Sequence, residues 1–324
     1  MVVNPFMKKR FLFVILFLLL FAGTKAVSAD SAENIFEQRI SLYKKTAAIT
    51  NIPWYYLAAV DQYERNVLSS TQEEKVISIH YPEHLWYGLG NASKIADEHV
   101  IIMFSGIGKD GDGDGLADIN NGEDVLYTLA NYLQSYGTSR ELIKIALFNH
   151  YKRDLSVKTI MNTARIFKHF NTIYLPERAF PIPKQYNYSY RNTWGHRRGY
   201  GGLRMHEGTD IFANYGTPVL SSTYGVIELK GWNRFGGWRL GIRDINNIYH
   251  YYAHLNSYAE NIEVGQIVKP GDVIGSVGSS GYGPPGTSGK FPPHLHYGLY
   301  KDNGYTEWSF DPYPFLRRWE RTGK

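Results

Sequence analysis

Apolar positions along the chain follow one period before residue 175 and another after it. From Ser31 to about Tyr174 they recur at helical spacing, as in Ile35, Ile40, Leu42 and Tyr43, and again in Val125, Leu126, Leu129, Ala130 and Leu133. Such spacing gives each segment one apolar helical face. Pro176, Pro181 and Pro183 then interrupt any helix. Beyond them come short alternating runs split by glycines, over residues 217–220, 225–229 and 294–300, which predict strands. The pattern predicts two domains: an all-α domain over residues 30–175 and an all-β domain over 188–324, joined by a linker at 176–187. No solenoid-type repeat is present.

The segment before residue 30 has a different character. Lys8, Lys9 and Arg10 precede an apolar run from Phe11 to Gly23, and Val27, Ser28 and Ala29 supply small residues for cleavage before Asp30. Residues 1–29 therefore predict an export signal. The apolar run is shorter than the roughly 20 residues that span a bilayer, and the alternative is a short uncleaved membrane anchor. In both cases the bulk of the chain works outside the cytoplasmic membrane.

Composition narrows the function. The formal charge is +5 over 324 residues, but Lys8, Lys9, Arg10 and Lys25 lie in the leader, so the remainder carries only +1. That gives no electrostatic case for nucleic-acid binding. With 43% hydrophobic residues, 26 Tyr and 7 Trp, the chain is no disordered polymer. The absence of cysteine excludes disulfides, thiolate metal sites and a cysteine nucleophile, and it suits the envelope of a Gram-positive bacterium. Any metal must be held by His, Asp or Glu.

Three clusters in the C-terminal half carry that chemistry: His206 with Asp210, then Tyr251 to Leu255 around His254, then His294 with His296. Residues two apart on a strand face one side, so His294 and His296 can converge on one ion or substrate. His206, Asp210 and His296 would satisfy a three-ligand catalytic zinc site with its fourth position left for water. Nitrogen ligands favour zinc over magnesium. Taken singly, each cluster is more often an exposed or packed group than a metal site. Their combination in one domain of glycine-rich turns favours a metal centre.

These residues resemble the lysostaphin and LytM-type zinc metallopeptidases across residues 188–300, which share a His-x-x-x-Asp, a later Tyr-x-His-Leu-like segment and a final His-x-His. Gly208, Gly225, Gly271, Gly275 and Gly278 fit the same pattern. The resemblance implies a compact antiparallel β-fold with a substrate groove, one zinc per chain, and cleavage of peptide bonds in peptidoglycan. It makes His206, Asp210 and His296 the zinc ligands, and His254 and His294 the unligated catalytic histidines. One of these takes the water proton and returns it to the leaving amine, and the other steadies the developing charge. His294 is favoured as the base, because its strand places it beside His296.

The layout of export signal, helical half and terminal peptidase domain further resembles the sporulation endopeptidases of Bacillus. That implies cleavage between L-Ala and D-Glu of the stem peptide, in the cell wall or spore cortex. The chain departs from the wider family in a longer Pro- and Gly-rich loop, residues 280–293, before the last histidines. Such a loop would shape the groove wall. Tyr200, Trp232, Trp238, Tyr251 and Tyr252 either stack on glycan or pack, packing being the safer reading.

In the helical half, residues 52–64, 122–133 and 146–150 resemble lysozyme-like lytic transglycosylases, with Glu64 at the place of the catalytic acid. That family usually follows its glutamate with serine, whereas Arg65 follows here. Glu64 is therefore either a general acid for a glycosidic bond, if burial raises its pKa, or, as favoured, an ordinary helix residue of a domain that positions the wall. Between those segments Asp110, Asp112, Asp114 and Asp118 alternate with glycines as in a calcium loop, although Asn121 stands where a bidentate glutamate belongs and Glu123 or Asp124 would have to substitute. The choice is Ca2+ or a solvated acidic turn.

Three functions remain in competition: a zinc peptidoglycan endopeptidase, an inactive wall-binding regulator, and a glycan-cleaving enzyme using Glu64. No expected metal ligand is missing, which favours the first.

Overall fold

The computed structural model describes residues 29–68, 75–199 and 202–323. The leader expected at residues 1–29 falls outside them except for Ala29, and among the described residues no helix is long and apolar enough to cross a membrane.

Before residue 176 the periodicity becomes helices α1 (Ala29–Thr50), α2 (Trp54–Val67), α3 (Glu83–Trp86), α4 (Glu98–Met103), α5 (Gly122–Tyr136), α6 (Arg140–Tyr151) and α7 (Asp154–Phe170). Polar side chains set several starts. Asp97 accepts from the His99 and Val100 N–H groups, Asn121 from Glu123 N–H and Ser139 from Leu142 N–H, each filling an otherwise orphaned donor. Gly137 ends α5 at φ 124°, a conformation that disfavours any side chain. The apolar faces, including Leu57, Val60, Leu126, Leu133, Ile143 and Phe167, are buried.

Beyond residue 187 the alternating runs form strands β1 (Tyr188–Tyr190), β2 (Arg197–Arg198), β3 (Arg204–Met205), β4 (Thr209–Ala213), β5 (Pro218–Leu220), β6 (Gly225–Asn233), β7 (Gly237–Asp244), β8 (Ile248–Tyr258), β9 (Ile267–Val268), β10 (Val273–Val277), β11 (His294–Asp302) and β12 (Glu307–Phe310). They pair antiparallel in the order β1-β4-β11-β8-β7-β6-β9, with β12 beside β11 and β10 between β5 and β8. β2 and β3 form a separate two-stranded ribbon. One face of the sheet is core: Ile211, Leu240, Ile242, Tyr252, Leu255, Leu295, Tyr297 and Leu299 are all buried on it.

One element departs from the all-β expectation. Helix α8 (Tyr313–Thr322) follows the last strand, opened by Pro312 and Pro314, and inserts Leu316 and Trp319 into the core of the sheet. Residues 176–187 also reach that core through Phe180 and Ile182, held by backbone bonds from Ala179 to Ser222 and from Leu220 to Pro181.

Residues 39–324 pack as one unit. Arg153 at the start of α7 donates two hydrogen bonds of 2.8 Å to the fully buried Asp302 carboxylate on β11. Asn162 on α7 reaches Glu228 on β6 at 2.8 Å, and Asn66 on α2 reaches the Ile245 carbonyl at 2.8 Å. The helices thus brace the sheet at the end of β11, on β6 and just past β7.

Candidate metal centre

Strand pairing assembles the centre. His296 on β11 stands in register with Asp210 on β4 and with Ala253 on β8. With a two-residue period, His294 and His296 project from one face while Leu295 and Tyr297 enter the core on the other. Asp210 shares the histidine face, with Ile211 behind it. His206 lies just before β4, where its ring is held by the Thr193 carbonyl at 2.7 Å.

His254 reaches the same face by an irregularity. On β7 the step from Trp238 to Leu240 is two residues, but their partners on β8, Leu255 and Tyr252, are three apart. The extra residue is a bulge, and His254 takes φ 63° within it. Tyr252 and Leu255 therefore both remain in the core while His254 turns outward to the histidine face. Strict alternation from sequence would have sent it inward.

His206 Nε2 lies 2.9 Å from His296 Nδ1, and Asp210 Oδ1 lies 3.1 Å from each of these nitrogens. A tetrahedral cation with bonds near 2.0–2.1 Å separates its ligands by about 3.3 Å. This donor set fits a zinc ion, and among the described residues it is one of two groups of three side chains close enough to hold a metal. His294 and His254 stand beside it. His294 Nε2 is 3.7 Å from Asp210 Oδ1, and the His254 and His294 rings are 4.9 Å apart.

Backbone carbonyls fix the tautomers. His206 donates from Nδ1 to Thr193 O, His254 to Ser280 O at 2.8 Å and His294 to Pro292 O at 2.8 Å. A neutral ring that donates from Nδ1 presents a lone pair at Nε2. The buried His294 Nε2 has no hydrogen-bond partner, an arrangement that a functional role explains. Burial lowers the pKa of His294 and His296 and pushes that of His254 well below the ordinary imidazole value, so these rings are neutral at physiological pH. Burial opposes the Asp210 anion, but hydrogen bonding to His206 and His296 and the field of His296 and His294 outweigh it and hold the carboxyl well below the usual carboxylate range.

Sequence reasoning missed Arg198. From β2 its guanidinium pairs with Asp210 and lies 2.9 Å from His206 Nε2. Nothing in the run Arg197–Arg198 marks one arginine over the other, since only the ribbon's docking aims it. The long loop does form groove wall, as its composition predicts: Tyr282 stacks on His254 with rings 6.2 Å apart and Phe291 meets the same ring edge-on at 4.7 Å. A cavity of about 290 Å³ opens on the centre past Tyr251 and Tyr300, and another of about 230 Å³ lies under the loop. Tyr252 is core and Trp232 packs edge-on against Trp238, whereas Tyr200 lies outside the described residues.

The acidic loop matches the expected ligand set in part, with Asp124 in the substituting place. The structure gathers Asp110, Asp112 and Asp124, not Asp114 and Asp118. Asp114 accepts from Leu116 N–H and Asp118 from Asn120 N–H, while Asp110 accepts from Gly113 and Gly115 N–H and Asp124 from Gly111 and Asp118 N–H. Asn121, the expected twelfth position, caps α5 and donates to Asp112. Backbone donors thus meet these carboxylates as in an Asx-turn loop.

Glu64, on the last turn of α2, is largely enclosed. Burial raises its pKa to about 7, against the lowering effect of a 2.5 Å hydrogen bond from the Tyr151 hydroxyl.

Residues 204–309 match the model of peptidase family M23. The L-Ala--D-Glu endopeptidase of Bacillus subtilis (strain 168) is 59% identical over 312 residues, 94% of this chain and 96% of that protein. Lysostaphin of Staphylococcus simulans is 35% identical over 132 residues, covering 38% of this chain and 25% of that protein. The solved catalytic domain of that lysostaphin is 34% identical, with a TM-score of 0.32 over 41% of this chain and 92% of the domain. The chain belongs to peptidase family M23, and with it to the metallopeptidases.

Proposed function

We propose that the protein is a zinc-dependent endopeptidase of bacterial peptidoglycan that cleaves the L-Ala–D-Glu bond of the stem peptide. One observation carries the chemistry: His206 Nε2, Asp210 Oδ1 and His296 Nδ1 converge within about 3 Å of one another, with two further carbonyl-fixed histidines beside them. The near full-length similarity to a protein named for that bond supports the specificity.

In this reading His206, Asp210 and His296 hold the ion. Zinc supplies a Lewis acid and a water whose pKa falls to about 7. His294 takes the proton from the attacking water and returns it to the leaving amine, since its Nε2 is bare and the nearer of the two to Asp210. His254, exposed to both cavities, meets the scissile amide and holds it in place. Tyr282 and Phe291 shield these rings from water. The leader exports the chain to the wall or spore cortex where this substrate lies.

A second reading has its own observation. A carboxyl titrating at about 7 suits a general acid at a glycosidic oxygen, which is the role that resemblance would give Glu64.

The test is digestion of peptidoglycan by the purified chain, with fragments identified by mass spectrometry for wild type, His296→Ala and Glu64→Gln, with and without chelator. New amino-terminal D-Glu that disappears with chelator and with His296→Ala is the expected result. Sugar ends lost only in Glu64→Gln would establish the glycan-cleaving alternative, and no product from wild type would make the chain a binding protein. Metal analysis that finds active protein free of zinc would overturn the mechanism.

A further inference from the structure

The cavity under the long loop has a one-sided charge. Its lining is Arg198, His254, Tyr282, Lys290, Phe291 and His294, a set with two permanent cations and no carboxylate. The larger cavity differs, because there Glu207 and Asp210 accompany Arg198 and Arg204. Lys290 gives its ammonium to a neutral acceptor, the Tyr282 carbonyl, at 2.7 Å, so its charge is not cancelled by a carboxylate there. Arg198 stands at the junction of both cavities and against the metal centre, where it pairs with Asp210; an ion held by that carboxylate would leave the guanidinium for another anion. Its direct cross-strand partner on the ribbon is Arg204. Arg204 donates to the Tyr282 hydroxyl and Arg198 pairs with Asp210, so the cation of this cavity that an added anion would meet without a competing carboxylate is Lys290.

The substrate supplies such an anion, if the reading just given is right, and this inference rests on it. When the amine of a glutamyl residue is acylated by alanine and one of its carboxyls carries the peptide onward, the other carboxyl remains free. The leaving amine of an L-Ala–D-Glu bond therefore belongs to a residue with a carboxylate a few bonds from the scissile nitrogen. A Gly–Gly bond offers none.

We propose that the Arg198–Lys290 cavity is the subsite for that free carboxylate, with Arg198 as the specificity-determining residue. The guanidinium fork matches a carboxylate with two parallel N–H donors, and Lys290 adds a point charge from the loop. Tyr282 and Phe291 enclose the aliphatic part of the glutamyl side chain and exclude water. The Pro- and Gly-rich loop at residues 280–293 would then serve to build this subsite.

The experiment uses paired synthetic stem peptides that differ only in the D-Glu residue, which bears either its free carboxylate or the corresponding carboxamide. kcat/KM is measured for zinc-loaded wild type, Arg198→Gln and Lys290→Gln, and the two carboxy-terminal product peptides, which begin with the D-Glu residue or its carboxamide, are titrated calorimetrically. Wild type is expected to prefer the carboxylate by about 10- to 100-fold, the worth of a hydrogen bond to a charged group. Lys290→Gln, at an exposed loop position outside the metal centre, reduces the ratio, and Arg198→Gln removes most of it. Equal rates and equal product affinities in wild type would overturn the proposal while leaving the peptidase standing. A preference that survives both substitutions would also overturn it. If neither peptide is cut but the carboxylate product binds selectively, the subsite stands and the bond assignment falls. If neither peptide is cut and neither product is distinguished, both fall.

Discussion

Gly208 lies where any side chain would strike the ring of His296: a Cβ there would stand 2.6 Å from Cε1 and 2.8 Å from Nε2, with the Tyr297 carbonyl at 2.7 Å. The ring cannot retreat freely, because backbone closes the same space. Gly208→Ala is therefore expected to tilt His296 away from His206 and weaken zinc binding by about 10- to 100-fold, the usual effect of disturbing a ligand's support. Competition against a chromophoric chelator measures this directly. Unchanged affinity would show that the ring has room the structure does not offer.

The histidines divide into two groups with different expected phenotypes. His294→Ala and His254→Ala leave the three proposed metal-holding residues, His206, Asp210 and His296, in place, so they should retain zinc while kcat falls by about 10²- to 10⁴-fold. His296→Ala should lose both metal and activity. Metal content by mass spectrometry beside turnover on a stem peptide separates the groups, and loss of zinc from His294→Ala would move that residue into the metal-holding set.

Glu64 makes stability depend on pH. Its folded pKa of about 7 lies above the ordinary glutamate value of 4.5, so between those values the folded state binds the extra proton. The stability it contributes is complete below about pH 4.5 and is lost as pH rises through 7. The shift corresponds to at most about 3 kcal/mol. Glu64→Gln should flatten the urea-denaturation midpoint between pH 5 and 7.5 relative to wild type. Parallel pH profiles for the two proteins would contradict the burial of this carboxyl.

Arg153 and Asp302 tie a helix to the central sheet through a fully buried carboxylate. Asn247 also reaches Asp302, with its side-chain amide 3.4 Å from the carboxylate. Arg153→Met leaves that charge without its cation and should destabilise the fold by about 3–5 kcal/mol. Replacing both residues by apolar ones should cost less than the single change. Denaturation midpoints of the single and double variants decide it.

The helical and strand-forming halves were legible from periodicity, because a helix or strand buries a face set by its own local spacing. The pair His294 and His296 was legible for the same reason, two residues on one strand facing one side. The sequence also marked His206, Asp210 and His254 as chemistry-bearing. What it could not supply was anything that depends on a neighbour distant in the chain. His254 reaches the centre only through a bulge measured against β7, the tautomers are fixed by carbonyls of Thr193, Ser280 and Pro292, and Arg198 is aimed by a ribbon of two short strands. The acidic loop was legible only as a choice, because alternating aspartates look alike whether they await a cation or hold backbone N–H groups; the fold brings Asp124 to Asp110 and Asp112 and leaves Asp114 and Asp118 outside that group. Local periodicity is written in consecutive residues, whereas a site is made where separate strands dock, and that docking is decided by the packing of the whole core.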